Sequence, residues 1–223
     1  MKYKDTAVGL LFALICFIPV FLAERFNLPY LTKSMVKIIS FFIPVLFFYV
    51  TFRYRITDIL RLRPLKNAAV LYICMAVAFA GIIILFFALK KYIDTDAIVK
   101  SLMKKERLTK ENCIFVFAYI IIVNSFLEEA FFRGFLFGIF EKNGLVKTGY
   151  AVSGIVFAVY HIGIVSTWFN PWILAFCIAG LALVGFALTF ISRKYKTVAA
   201  SWIVHACANL AINSIGAYLI FTF

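Results

Sequence analysis

The stretch of sequence that decides the fold is residues 113–140, CIFVFAYIIIVNSFLEEAFFRGFLFGIF. A helix needs about 20 predominantly apolar residues to cross a bilayer, and this stretch is long enough. Its charged residues are Glu128, Glu129 and Arg133. Each charge costs roughly 2.5–3.5 kcal/mol at the centre of a membrane helix, so we expect them to form an internal polar site.

The rest of the chain is equally apolar. Of 223 residues, 65% are hydrophobic, and the mean hydropathy is +1.00. A soluble domain contains about 45–50% apolar residues, so we predict an all-α polytopic membrane protein. We expect about seven transmembrane helices, with eight as the alternative count. The expected spans are 7–23, 35–52, 67–89, 113–140, 149–167, 172–192 and 198–220.

Two polar segments between the spans retain apolar residues at intervals. One is RYRITDILRLRPLK at 53–66, and the other is DAIVKSLMKKERL within the polar stretch 90–112. Both patterns are typical of amphipathic helices that lie on the membrane surface. No internal repeat or linker divides the sequence. We therefore expect a single helical membrane domain, 1–223, with a motif-bearing core at about 113–215.

The formal net charge is +13, and the basic residues lie mainly between the apolar segments. This distribution reflects membrane topology and anionic lipid headgroups, so membrane lipids are the expected partners and nucleic acid is not. The short loops on the N-terminal side carry more Lys and Arg, which predicts a cytoplasmic N-terminus. The five cysteines have no CxxC spacing and indicate neither a disulfide framework nor a zinc ribbon.

Ionisable residues also interrupt two later spans. His161 lies in the fifth span and His205 in the seventh, while Arg133 is the basic residue expected deep in a span. At about 1.5 Å per residue, Glu129 and His161 both lie ~18 Å from the loop 141–148. His205 lies ~11 Å from the same side, so these groups are expected to converge in one layer.

Helical geometry separates the two glutamates of the fourth span. Glu129 and Arg133 are four residues apart and are expected to form an ion pair. Glu128 points about 100° away from Glu129, and Asn124 lies one turn before it on the same face. We therefore expect the Glu129–Arg133 pair to be structural and Glu128 to be the reactive carboxylate.

These side chains are suited to hydrolysis. A carboxylate can act as a base toward water. Imidazole and carboxamide groups can donate hydrogen bonds to a developing oxyanion, and Asn209 follows His205 by one turn. Neither GxSxG nor HExxH is present. Glu128, His161 and His205 are also a candidate ligand set for a divalent metal such as zinc, because two histidines and a carboxylate occur in catalytic zinc sites.

Three motifs in separate spans carry a family resemblance. EEAFFR is an EExxxR motif, FAVYH is FxxxH, and HACAN is HxxxN. Together they resemble the CAAX protease and bacteriocin-processing enzyme family of intramembrane endopeptidases, which includes the Ras-converting prenyl-protein endopeptidases. The resemblance covers roughly residues 113–215.

The resemblance implies catalytic roles for four residues. Glu128 together with His161 would activate the attacking water, and His205 with Asn209 would stabilise the oxyanion. Members of the family are described both as metal-dependent and as glutamate-dependent, so the cofactor stays open.

Four further residues are expected to support the site. Glu129 and Arg133 would hold it together, Asn124 would lie on the same helix face as Glu128, and Phe157, four residues before His161, would be a packing residue. The resemblance also implies a substrate class, a membrane-associated peptide or a prenylated protein. Short bacterial members are linked to bacteriocin or pheromone processing, and the size of this chain is similar to theirs. We therefore expect a prokaryotic cytoplasmic membrane.

Two other functions fit the same buried polar residues. One is a non-catalytic immunity or scaffold protein. The other is an ion-coupled transporter, since transporters also bury Glu and His in the membrane. The chain shows no inverted repeat of the kind that many transporters contain, which places this function last.

Overall fold

The computed structural model describes residues 2–26, 28–52, 55, 57–58, 63–65, 69–166 and 168–222. Every regular element within these ranges is helical. Seven of the helices are long and apolar enough to cross a membrane. The predicted fold class, an all-α polytopic membrane protein, is confirmed, and the chain is an integral multi-pass membrane protein.

The long helices follow one another with short connections, apart from the two longer segments 53–68 and 90–112. Between the third and fourth long helices lie a short 3₁₀ turn, a six-residue α-helix and a π-helical turn, Ser101–Lys105. The helices are α1 (Lys2–Arg25), α2 (Tyr30–Phe52), α3 (Ala69–Leu89), α4 (Thr95–Lys100), α5 (Cys113–Lys142), α6 (Val146–Val165), α7 (Pro171–Tyr195) and α8 (Val198–Thr222).

Of the two predicted surface helices, the structure describes mainly the second. Most of 53–66 lies outside the described residues. The second segment is helical as expected, and α4 buries Ile98 and Val99 against Phe86 of α3 and Leu219 of α8. Its location at the membrane surface stays a prediction.

The two phenylalanines inside the EEAFFR motif fix α5 among its neighbours. Phe131 stacks on Phe41 of α2, with 4.3 Å between ring centroids. Phe132 stacks on Phe17 of α1 and meets Phe157 of α6 edge-on. Aromatic pairs of this kind contribute about 0.5–1.5 kcal/mol each beyond their buried area. The apolar residues of the motif thus set the rotation of α5 and, with it, the direction of the charged ones.

Helix α2 corrects one expectation about charge. It begins at Tyr30, before the expected start at 35, and it contains two buried lysines, Lys33 and Lys37, which are 7% and 8% exposed. The expectation that Arg133 is the basic residue deep in a span was therefore wrong. Both lysines are tolerated because carboxylates on neighbouring elements pair with them.

Helices α6 and α7 cross at two glycines. A Cβ atom added at Gly185 of α7 would lie 2.9 Å from the Cα atom of Gly154 of α6. Small residues allow membrane helices to approach this closely and to gain van der Waals contact. The crossing also affects the buried charges of α5, because the main-chain oxygen of Gly185 accepts a hydrogen bond from Arg133.

We expect Gly185→Ala to destabilise the protein by about 1–3 kcal/mol, because the new methyl group meets backbone that cannot rotate away. The measurement is the unfolding temperature of the purified protein in detergent.

Gly180→Ala is the matched control, since it lies on the same helix and an added Cβ meets nothing within 4 Å. Equal unfolding temperatures for the two variants would contradict the proposed close crossing.

Candidate active site

The segment that carries the two glutamates lies between two π-helical stretches of α5. The α-helical turn Ser125–Glu129 follows the stretch Ile120–Asn124 and precedes the stretch Ala130–Leu136. Such π turns within α-helices are frequent at functional sites.

Side chains hydrogen-bond to three successive carbonyl groups of the first π stretch. Asn209 Nδ2 donates to the oxygen of residue 120 at 3.3 Å, and Trp202 Nε1 donates to that of residue 122 at 3.0 Å. The hydroxyl of Ser125 donates to the oxygen of residue 121. The backbone amide of Ser125 also donates to the oxygens of residues 120 and 122, so backbone and side-chain donors together satisfy the irregular backbone. The side-chain amide of Asn209 therefore binds the backbone of α5.

The expected pair between Glu129 and Arg133 is confirmed. Arg133 Nη1 donates to Glu129 Oε1 at 2.7 Å, and both side chains are fully buried. Arg133 Nη2 donates to the main-chain oxygen of Gly185 at 3.2 Å. The guanidinium group also lies over the ring of Phe157, 4.3 Å from its centroid. The arginine therefore joins α5 to α6 and α7.

Both histidines are oriented through their Nδ1 atoms. His205 Nδ1 donates to Glu129 Oε1 at 2.8 Å, and His161 Nδ1 donates to the main-chain oxygen of Phe157 at 2.7 Å. An Nδ1 atom that donates to an acceptor leaves the Nε2 atom of a neutral imidazole as an acceptor. Both Nε2 atoms face Glu128.

Glu128 has two oxygens in different surroundings. Oε1 accepts hydrogen bonds from Lys37 Nζ of α2 and from Asn124 Nδ2, the latter at 2.9 Å. Oε2 lies 3.7 Å from His205 Nε2 and 3.8 Å from His161 Nε2. Among the described residues, no donor reaches Oε2 with normal hydrogen-bond geometry. One oxygen is thus held by the protein, and the other faces the two imidazoles.

The three facing atoms suit a water molecule. Glu128 Oε2 and the two Nε2 atoms are all acceptors when the imidazoles are neutral, and water donates two hydrogens. A water hydrogen-bonded to Oε2 would lie within the 2.6–3.2 Å that general base catalysis requires. The predicted convergence of Glu128, His161 and His205 is therefore observed.

Glu128, His161 and His205 were also expected as candidate ligands of a divalent metal. Among the described residues, no group of three His, Cys, Asp or Glu side chains is arranged to hold a metal ion. The carboxylate of Glu128 is also paired with the ammonium of Lys37, so its negative charge is already compensated. A dication would add a second positive charge beside that ammonium. The residues present do not fit a divalent metal.

Lys37 is the residue that sequence reasoning missed. Glu128 was expected to lack a local counter-charge, and its cation comes from a helix about ninety residues earlier in the chain. A signal was available, because Lys37 fell inside the expected span 35–52 and Lys33 precedes it by one turn. Buried lysines four residues apart indicate an inward-facing polar stripe.

The polar cluster formed by Glu128, Glu129, Arg133, His161 and His205 lies inside the helix bundle. A cavity of about 590 Å³ lies at one end of the bundle and is lined by four basic residues, two acidic residues, Thr57 and the rings of Tyr150 and Phe190. An apolar groove of about 540 Å³ runs between α6 and α7. Neither is lined by Glu128, His161 or His205. The side chain of Glu128 is 2% exposed and that of His161 is 16% exposed.

Comparison with protein families found a match over the segment that carries the three motifs. Residues 110–211 match the family model described as Type II CAAX prenyl endopeptidase Rce1-like. The resemblance to the CAAX protease family that the three motifs predicted is confirmed over this segment. A search of curated proteins and a search of solved structures each found no match. The matched segment contains the EExxxR, FxxxH and HxxxN motifs and leaves out α2.

We expect Arg133→Met to destabilise the protein by about 3–5 kcal/mol, because it leaves the buried Glu129 carboxylate without its cation. The measurement is thermal unfolding in detergent.

Arg193→Met is the matched control, because it removes a partly exposed pair with Glu141 at 2.9 Å. An exposed pair contributes about 0–1 kcal/mol. Similar losses for the two variants would contradict the structural role of the buried pair.

Proposed function

We propose that the protein is an intramembrane endopeptidase in which Glu128 activates water to hydrolyse a peptide bond of a membrane-associated substrate. The observation that carries this proposal is the convergence of Glu128 Oε2 with the Nε2 atoms of His161 and His205, at 3.8 and 3.7 Å. The family match supports proteolysis as the general activity. The substrate and the roles of individual residues are the new part of the proposal.

The partners of the two imidazoles suggest different tasks for them. His161 is backed by a neutral main-chain carbonyl and can accept a hydrogen bond from water through Nε2. His205 is backed by the Glu129 carboxylate, which compensates the charge when Nε2 also carries a proton. A protonated Nε2 is a donor that a developing oxyanion requires. The geometry thus favours His161 beside the water and His205 beside the oxyanion.

The proposed reaction has two steps. Glu128 Oε2 removes a proton from water as the water oxygen attacks the scissile carbonyl carbon, and the carbonyl oxygen becomes an oxyanion near His205 Nε2. Collapse of the tetrahedral intermediate breaks the C–N bond, and the proton held by Glu128 passes to the leaving amine. The products are a carboxylic acid and an amine, and the carboxylate of Glu128 is regenerated.

Asn209 and the buried ion pair have supporting parts in this proposal. The Glu129–Arg133 pair orients His205, because Glu129 Oε1 accepts from both Arg133 and His205. Asn209 reaches the oxyanion only if its amide leaves the main-chain oxygen of Ile120, a hydrogen bond of 3.3 Å. We therefore propose that substrate binding releases the amide of Asn209 from α5.

We expect Glu128→Gln to lower peptide hydrolysis by at least about 100-fold, because the amide cannot take a proton from water. The substrates are quenched-fluorescent peptides with a C-terminal CAAX sequence, prepared with and without a farnesyl group. Cleavage is measured with purified protein in liposomes.

The matched control is Glu141→Gln, which removes a carboxylate from the end of the same helix and affects an exposed pair. We expect this variant to cleave like the wild-type protein. Full activity of a folded Glu128→Gln variant would reject the proposed role of Glu128.

The proposed mechanism needs no metal, since the ammonium of Lys37 and the guanidinium of Arg133 balance the two carboxylates. We therefore expect the wild-type protein to keep its rate in the presence of 1,10-phenanthroline or EDTA. Metal analysis of the same active sample is the accompanying measurement. Loss of activity that added zinc restores would favour the ligand set Glu128, His161 and His205 instead.

The two alternative functions predict different results. A non-catalytic immunity or scaffold protein would keep its phenotype in Glu128→Gln and show no cleavage of any peptide. An ion-coupled transporter would instead show substrate or ion flux in proteoliposomes that depends on Glu128.

We further propose a cytoplasmic N-terminus on the basis of loop charge, in a prokaryotic cytoplasmic membrane. The catalytic core proposed at about 113–215 would depend on α2 for the counter-charge of Glu128. Peptides that accumulate in cells carrying Glu128→Ala, compared with wild-type cells, would identify the substrate and show whether it is lipidated or a bacteriocin-like peptide.

A further inference from the structure

Lys37 lies inside the bundle, where its ammonium group contacts polar side chains and an aromatic ring. Its Nζ atom donates to Glu128 Oε1 and to Asn124 Oδ1. It also lies over the ring of Tyr160 of α6, 4.8 Å from the centroid, in a cation–π contact. The ammonium group is thus held by two hydrogen bonds and a ring face.

The contacts of Lys37 form a closed set with Asn124. Asn124 Oδ1 accepts from Lys37, and Asn124 Nδ2 donates to the same Glu128 oxygen that Lys37 contacts, at 2.9 Å. Two donors from two helices therefore hold Oε1. With Oε1 held, Oε2 is the oxygen directed at His161 and His205.

We propose that Lys37 is a positioning residue, which holds Glu128 Oε1 from α2 so that Oε2 is the oxygen that takes the proton from water. The inference rests on the function proposed for Glu128. It adds to the site a residue outside the three motifs and outside the matched segment 110–211. Lys37 touches neither water nor substrate in this proposal and acts through the carboxylate.

Charge balance supports the same assignment. The buried cluster contains two carboxylates, Glu128 and Glu129, and two permanent cations, Lys37 and Arg133. Arg133 pairs with Glu129, so without Lys37 the charge of Glu128 would lack a permanent cation in contact with it. If His161 compensated the carboxylate instead, it would have to be a cation, and its Nε2 would no longer accept a hydrogen bond from water.

The neighbouring lysine provides a matched control. Lys33 lies one turn before Lys37 on the same face of α2 and is equally buried. Its ammonium pairs with Glu24 Oε2 of α1 at 2.9 Å and with Glu106 Oε1, before α5, at 2.7 Å. Both lysines are buried and ion-paired, but Lys37 is the one that contacts Glu128.

The experiment compares Lys37→Met, Lys37→Arg and Lys33→Met in the liposome cleavage assay with the most active peptide. We expect Lys37→Met to lower kcat by about 100-fold with KM unchanged, because a misplaced catalytic group slows the chemical step. Lys37→Arg should recover most of the loss and stay within about 10-fold of wild type, because it retains a cation but not the geometry of the ammonium. Lys33→Met should keep the wild-type kcat. An unchanged kcat in Lys37→Met, or an equal loss in Lys33→Met, would overturn the proposal.

A second measurement keeps the proposal testable if Lys37→Met folds poorly. Thermal unfolding is measured for Lys37→Met, Glu128→Gln and the double variant. We expect the double variant to unfold at a higher temperature than Lys37→Met, because the uncompensated carboxylate is gone. If the two substitutions change the unfolding temperature additively, the interaction between Lys37 and Glu128 is rejected.

The two proposals fail in different ways. If Glu128→Gln cleaves normally, the function proposed for Glu128 is wrong, whatever Lys37 does. If Glu128→Gln is inactive while Lys37→Met has the wild-type kcat, the function stands and the positioning role of Lys37 is rejected.

Discussion

The buried ion pair between Glu129 and Arg133 is the interaction on which the rest of the site depends. A membrane interior offers no water to solvate a charge, so each charge needs a partner within the protein. Arg133 reaches the backbone of Gly185 in α7 and the ring of Phe157 in α6, and Glu129 holds His205 of α8. One pair within α5 thereby fixes three other helices around it.

Much of this site could be predicted because the relevant spacings are local. The Glu129–Arg133 contact follows from four-residue spacing in a helix, and the placement of Asn124 beside Glu128 follows from the same rule. The convergence of the histidines followed from counting residues from a shared loop, since spans of similar length place such groups at similar depths. The seven candidate spans among the described residues were expected from hydropathy.

The remaining features depend on contacts between distant parts of the chain. Lys37 was not assigned to the site because its partner, Glu128, is far away in sequence and hydropathy does not show pairing. Asn209 was assigned to the oxyanion with His205, but its amide contacts the main-chain oxygen of Ile120 in a π-helical stretch of α5, where that oxygen also accepts from the backbone amide of Ser125. A helical wheel assumes regular α-helix throughout, so it could not reveal that irregularity.

The π stretches of α5 make the number of residues in this helix a constraint in its own right. A π turn closes its hydrogen bonds over five residues and an α turn over four, so Ile120–Asn124 accommodates one residue more than a regular helix needs. Deleting one residue there would let the segment return to regular α-helix and would keep the helix on either side in about the same register. Deleting a residue in the α-helical turn Ser125–Glu129 would instead rotate the residues on its two sides by about 100° relative to each other. The length of α5 can therefore change by one residue at the π stretch, but not within the turn that carries the two glutamates, without redirecting a charged side chain.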